Sequence, residues 1–227
     1  METRDSVETL ESIAQKLYKS VGFTGGPPAL FGAVGRETIV TLLECGLLPT
    51  HNLLDFGCGA LRLGWWLMRF MDTGRYYGIE PNSRWLEAGK EIVIGRDLLD
   101  LKKPHFSNNS DHRMDVFGVK FDAVVARSIL THLTPAAMAI LFEQFASNSN
   151  PDAFFLASYW QHRTHNGKDI VVGEKLFKEK PRQGGGLNVT YKFKTIEAIA
   201  REAGLSIEKL DRETINIQPW IVLQKDQ

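Results

Sequence analysis

Cysteine is scarce in this chain: Cys45 and Cys58 are the only two in 227 residues, and they form no CxxC pair. That pattern argues against a disulfide framework and against a thiolate zinc site. Net charge is lacking as well, with 27 basic residues against 27 acidic ones. Polynucleotide binding usually leaves a basic footprint, so no nucleic-acid partner is expected. Long apolar runs are missing, since a membrane helix needs about 20 such residues in a row. The opening METRDSVETLESIAQ carries charges where a secretory signal would be apolar. No internal repeat and no low-complexity tract interrupts the chain. These absences leave a cytoplasmic protein with no membrane partner, long enough for one sizeable α/β core.

Val7, Leu10, Ile13, Ala14 and Leu17 recur at helical spacing, which predicts an amphipathic helix over residues 6–19. Residues 21–35, VGFTGGPPALFGAVG, then break all regularity with five glycines and two prolines. The apolar Phe23, Leu30, Phe31 and Val34 within them suit a segment packed over something rather than a linker. Residues 1–35 therefore read as a helical and Gly-rich cap, and residues 36–227 as the main domain, opened by a helix over 36–45. From there expected strands at 52–56, 75–79, 104–107, 121–126 and 153–159 alternate with helices at 61–70, 83–94 and 134–146. Thr134-Pro135 is a strong helix start, a capping residue followed by proline at the first helical position. A helix over TIEAIAREAG and strands at 205–210 and 215–223 close the pattern. Such alternation implies a doubly wound, mainly parallel sheet, with ligands outside the carboxyl ends of its strands.

LLDFGCGALRLGWW, at residues 53–66, ends the first strand and opens the first crossover helix. Gly57 and Gly59 let backbone approach a ligand closely. A dinucleotide fingerprint wants a third glycine at position 62, where this chain has Arg62, and no GxxxxGK[ST] loop is present. Asp55 would repel a pyrophosphate but suits a ligand bearing an ammonium group. Glu80, in YYGIEPN at the end of the second strand, stands 21 residues after Gly59. A carboxylate there accepts hydrogen bonds from both ribose hydroxyls of a nucleoside. Pro81 behind it packs against the base or turns the chain.

LLDFGCGALR, YYGIEPN, NNSDHRMDVFG and FDAVVARSILTHL, in this order and spacing, resemble the class I S-adenosylmethionine-dependent methyltransferases. The resemblance implies a Rossmann-like sheet of seven strands with the last one antiparallel. It implies S-adenosyl-L-methionine as cofactor and S-adenosyl-L-homocysteine as product. Carried over, Asp55, Gly57, Cys58 and Gly59 form the loop beside the methionine moiety, and Glu80 and Pro81 attend the nucleoside. Ser110 or Asp111 matches the contact to the adenine amino group. Ala126 and Arg127 lie where backbone holds the methionine end. One departure is Leu61, which replaces a frequent third glycine of the family's loop.

The implied activity is methyl transfer by in-line displacement to an oxygen or nitrogen of a small-molecule acceptor. The alternatives are non-methyl-transfer chemistry on the same cofactor and a non-catalytic cofactor sensor or scaffold. His132, shortly after the fourth strand, is the candidate general base, because histidine titrates near neutrality. Residues 161–191 form a charged, Gly-bearing insertion expected to serve as a lid or substrate loop. His162 and His165 lack a third ligand, so no metal is expected. Phe23, Phe31, Tyr159 and Trp160 are candidates for an acceptor pocket, and Arg62 and Arg36 for a carboxylate of the cofactor. Trp65 and Trp66 are consecutive on one helix and cannot share a face, so one is expected buried and the other at a partner surface, that of a homodimer.

Overall fold

The computed structural model describes residues 9–161, 170–172 and 188–226. Thr9 accepts the Ser12 N–H at 3.2 Å and so caps helix α1 (Leu10–Val21), which Gly22 ends in a left-handed conformation. Its stripe of Ile13, Ala14, Leu17 and Val21 is buried. A 3-10 turn at Pro28–Leu30 leads directly into α2 (Phe31–Glu44). That helix starts five residues before the expected position, because the glycines inside it are demanded by packing. A Cβ on Gly35 would lie 2.6 Å from Trp66 Nε1. The close approach offsets the roughly 1 kcal/mol that a helical glycine costs.

The strands are β1 (Leu53–Phe56), β2 (Tyr76–Ile79), β3 (His105–Ser107), β4 (Phe121–Ala126), β5 (Ser149–Ser158), β6 (Trp160–Gln161), β7 (Ile170–Val172), β8 (Asn188–Tyr191), β9 (Leu205–Lys209) and β10 (Trp220–Lys225). Seven of them form the main sheet in the order β3-β2-β1-β4-β5-β10-β9. Strands β1 to β5 pair in parallel, and β10 runs antiparallel to both of its neighbours. This is the expected Rossmann-like sheet of seven strands. Strand order reverses between β1 and β4, so the crevice lies above their carboxyl ends.

Alternation along each strand splits the core in two. Leu53, Tyr76, Val125 and Leu156 join one buried cluster with α1, α2, α3 (Gly64–Phe70), α4 (Ser83–Ala88) and α5 (Arg96–Lys102). Leu54, Tyr77, Val124 and Phe155 join the other with α6 (Pro135–Asn148) and α7 (Phe193–Glu202). Thr134 accepts the Ala137 N–H at 3.2 Å, with Pro135 at the first helical position.

Several expectations need correction. The helix over 83–94 is α-helical only to Ala88 and then widens into a π-helical turn, Gly89–Ile94. Helix α5 has no counterpart among the elements expected from periodicity. Residues 215–223 are not one strand: a 3-10 turn, Ile215–Ile217, precedes β10. Strand β5 starts at Ser149, four residues early. Within 161–191, β8 pairs with both β6 and β7 in a small three-stranded sheet, while 162–169 and 173–187, including His162 and His165, lie outside the described residues. Trp65 and Trp66 are both half-buried, edge to face at 4.8 Å, and the Arg69 guanidinium covers the Trp65 ring at 3.9 Å.

Helix α2 is fastened over the crevice by one buried carboxylate. Glu37 accepts from Ile215 N at 3.1 Å and Trp220 Nε1 at 3.3 Å, and pairs with Arg127 at 3.4 Å. Both side chains of that ion pair are more than nine-tenths buried, at 6% and 7% exposure. Removing one partner strands the other charge in low dielectric, whereas removing both does not. Glu37→Ala is therefore expected to lose about 3–5 kcal/mol in urea unfolding. The double variant Glu37→Leu/Arg127→Met should lose much less than the sum of its single changes.

Candidate active site

The loop after β1 is shaped by four consecutive constraints. Gly57 (φ 74) and Gly59 (φ 56) both take left-handed backbone. A Cβ on Gly57 would fall 2.1 Å from Ile129 Cδ1, and one on Gly59 would fall 3.3 Å from Phe23 Cε1. The Gly57 and Cys58 N–H groups both donate to Ile79 O, at 2.8 and 3.0 Å, folding the loop back over β2. Leu61, fully buried, holds φ 62. Leucine thus adopts the conformation that glycine would supply at that place. Strain of order 1 kcal/mol is outweighed by the ~1.5–3 kcal/mol of burying its side chain.

Two carboxylates flank this loop. Asp55, 3% exposed, accepts the Tyr76 hydroxyl at 2.8 Å. Burial pushes its pKa up to about 7, against the Tyr76 hydrogen bond and the Arg62 charge, which hold it down. Glu80, 7% exposed, accepts Gly59 N with one oxygen at 3.0 Å and Asn82 N with the other at 2.8 Å. Burial raises its pKa, and the two backbone donors oppose the shift. The Glu80 carboxylate thus points at the glycine loop, not away from it. Pro81 beside it is exposed, while Cys58 is buried, and burial lifts its thiol well above the ordinary range.

The cap segment sits on the same loop. Phe23 stacks on Trp85 with ring centroids 3.7 Å apart and planes 8° from parallel. Arg62 donates to Gly25 O at 2.8 Å, and Arg84 to Ser20 O at 3.0 Å. Arg62 is thus held by the cap, with its pKa lowered to about 10 by burial and the nearby Arg127. Arg36 is exposed on α2, and Phe31 is buried in the core rather than lining the crevice.

Past β4 a polar network replaces apolar packing. Arg127 donates to Gln218 Oε1 at 3.1 Å and to Ile215 O at 2.9 Å, and its guanidinium lies 4.6 Å from the Trp220 ring centre. Burial lowers its pKa to about 10, with Glu37 opposing. Ser128 (φ 63) and Ser158 both donate to the same Gln218 oxygen at 2.9 Å, and the Ser128 N–H donates to Ser158 Oγ. Ala126, fully buried, ends the strand, and His132 is exposed on the following turn with Trp160 6.4 Å away, ring to ring.

Ser110 and Asp111 are exposed in the turn after β3, where Asp111 accepts the Arg113 N–H at 3.2 Å. The residue that ties this turn to the site is Asn108, whose amide donates to Glu80 O at 2.8 Å. Asn108, Asn82, Tyr76 and Gly89 escape a reading of the sequence. A Cβ on Gly89 would lie 2.6 Å from the Ala60 carbonyl carbon. Tyr76 carries a usable signal, since parallel pairing places it on the same sheet face as Asp55. Among the described residues there is no group of three or more His, Cys, Asp or Glu able to hold a metal, and no helix long and apolar enough to cross a membrane.

The ionisation of Asp55 has a consequence for stability. Below about pH 4 both the folded and unfolded carboxyls are protonated, and burial carries no ionic penalty. Between pH 4 and pH 7 the unfolded chain releases its proton first, so stability falls as pH rises. Relative to the wild type, Asp55→Asn should gain stability across that window, by on the order of 4 kcal/mol at most. Urea unfolding at pH 4, 5.5 and 7.5 measures the difference.

Comparison with known proteins agrees with this geometry. A family model described as a methyltransferase domain matches residues 54–155. Magnesium protoporphyrin IX methyltransferase from Synechocystis PCC 6803, with bound S-adenosylhomocysteine, superposes with a TM-score of 0.63 at 15% identity, covering 96% of each chain. The CcbJ methyltransferase from Streptomyces caelestis gives 0.67 at 15% identity, covering 93% of this chain and 96% of its own. Streptomyces venezuelae DesVI gives 0.61 at 18% identity, covering 96% and 100%. At these identities the likeness establishes the fold, and the matched domain contains the glycine loop and the strand-end carboxylate. Residues 54–155 thus match a methyltransferase domain, and the fold is that of S-adenosylmethionine-dependent methyltransferases.

Proposed function

We propose that the chain binds S-adenosylmethionine across the β1–β2 crevice and methylates an oxygen or nitrogen of a small-molecule acceptor. The observation that carries this reading is the pair of buried carboxylates, Asp55 and Glu80, on either side of a left-handed glycine loop. A pyrophosphate would meet two negative charges there. A nucleoside bearing an ammonium and a sulfonium meets attraction, strengthened by burial. An Asp55 poised near neutrality gains its charge when a cation arrives.

When bound, S-adenosylmethionine supplies an electrophilic methyl group, and the protein contributes binding and orientation. In this reading Asp55, Gly57, Cys58 and Gly59 hold the methionine end, joined by the backbone of Ala126 and Arg127. Glu80 takes the ribose hydroxyls, Pro81 borders the base, and Ser110 or Asp111 meets the adenine. Residues 21–35 serve as the cover, since Phe23 already lies against Gly59 and Arg62 grips Gly25. Alignment and water exclusion of this kind can supply roughly 7–11 kcal/mol of barrier reduction. Balanced net charge favours a small acceptor over a nucleic acid, and the Synechocystis neighbour is named for a small-molecule acceptor. A cytoplasmic setting is part of the same proposal. Nothing in the packing of Trp65 and Trp66 supports a homodimer.

Calorimetry tests the cofactor half. S-adenosylmethionine and S-adenosylhomocysteine should both bind and NAD should not, and Glu80→Ala should weaken both by about tenfold or more. No heat with either sulfur compound would end the proposal. Labelled S-adenosylmethionine with a metabolite extract then separates transfer from sensing, because a sensor binds without yielding a labelled product.

His132 is the proposed general base, on the turn that leaves β4. If it removes a proton during transfer, His132→Ala should lower kcat by about 10²–10⁴, with cofactor affinity unchanged. Undiminished turnover would assign the proton to solvent.

A further inference from the structure

Tyr159 follows the last residue of β5, at the carboxyl end of the strand, and is fully buried. It shares an apolar cluster with Phe155 and Ala157 of β5, with Leu130 and Leu133 of the turn leaving β4, and with Tyr191 of β8. The two tyrosines differ in what their hydroxyls do. Tyr191 donates to Leu133 O at 2.6 Å. The Tyr159 hydroxyl is buried and makes no hydrogen bond among the described residues.

Folded proteins rarely leave such a group unpaired unless a ligand or water completes it. Phenylalanine would fill the same space without an orphan polar atom. Burial lifts the pKa of this phenol to about 12, so it remains a donor throughout the neutral range. The turn in its cluster continues from Ile129, whose side chain packs on Gly57. Strand order β1-β4-β5 sets the end of β5, which Tyr159 follows, two strand spacings from the end of β1, roughly 10 Å. That is the scale of a small acceptor lying beside the loop. Trp160 and His132, with ring planes 67° apart, edge the same end of the sheet.

We propose that Tyr159 is an acceptor-binding residue, donating a hydrogen bond to an oxygen of a small-molecule acceptor and so setting the position of the atom that is methylated. The proposal rests on the methyl-transfer reading above. It makes Tyr159 a specificity residue and leaves proton removal to another group.

Tyr159→Phe deletes the hydroxyl and little else. If no protein atom uses that hydroxyl, the melting temperature of the free variant stays level or rises; a clear fall would reveal a structural partner and overturn the proposal. With labelled S-adenosylmethionine and a small-molecule metabolite extract as acceptor source, the apparent KM for extract should rise about tenfold. The change in kcat should be smaller, and S-adenosylhomocysteine affinity by calorimetry should be that of the wild type. An unchanged KM alongside intact S-adenosylhomocysteine binding would overturn the role of Tyr159 alone. Failure of the wild-type chain to bind S-adenosylhomocysteine would instead overturn the reading beneath it.

Discussion

The hydrogen bond from Gly59 N to the Glu80 carboxylate joins two loops that the sheet alone would leave independent. Strands β1 and β2 are parallel neighbours, and past the Gly57 and Cys58 bonds to Ile79 O the ladder no longer fixes the path of either segment. Glu80 bridges that gap with one oxygen and orders its own downstream turn with the other. Asn82 then caps α4 by accepting the Trp85 N–H, and Asn108 holds the Glu80 carbonyl from the β3 side. Three strand ends are thereby locked around one acidic side chain. Charged acceptors make shorter and stronger bonds to backbone than neutral ones, which is why an acid serves here better than an amide would.

The site is expensive to keep. Asp55, Glu80, Glu37, Arg62 and Arg127 are all ionisable groups drawn into or near the interior. Buried ion pairs often contribute no more stability than apolar groups of similar size. The Arg127 Nε has no partner at all among the described residues. A polar interior concentrated at the carboxyl ends of β1, β4 and β5, with an ordinary apolar core beneath it, is the signature of stability given up for binding. The seven-stranded sheet with its two apolar clusters supplies the surplus that makes the concession tolerable.

The architecture was legible because it obeys periodicity: Phe121–Ala126 emerges with the expected bounds, and Thr134-Pro135 opens its helix as its chemistry requires. The places of the two carboxylates, at the end of β1 and just past β2, were legible because spacing announces them. Illegible features arose where long-range packing overrides local preference. Glycines 32 and 35 read as loop residues but are helical: Trp66 leaves no room for a side chain on Gly35, and Leu10 lies 3.3 Å from where a Cβ on Gly32 would sit. Leu61 reads as a break in the loop motif, yet its backbone keeps the turn. The Arg127, Gln218 and Glu37 network joins residues some 90 to 180 positions apart, and no sequence period reports that. Asn108, which ties the turn after β3 to the Glu80 carbonyl, carries no pattern in the sequence that would single it out.

Gly89 carries an implication for how the crevice exchanges its contents. Its bare backbone presses on Ala60, in the middle of the glycine loop, closely enough that helix and loop have no slack between them. The π-helical turn begins at that same residue. Helix α4 and the β1 loop must then travel together, as one wall. The cap meets that wall around Phe23 and Gly25, through a ring stack on Trp85 and single hydrogen bonds from Arg62 and Arg84, and exchange past the wall falls to this segment.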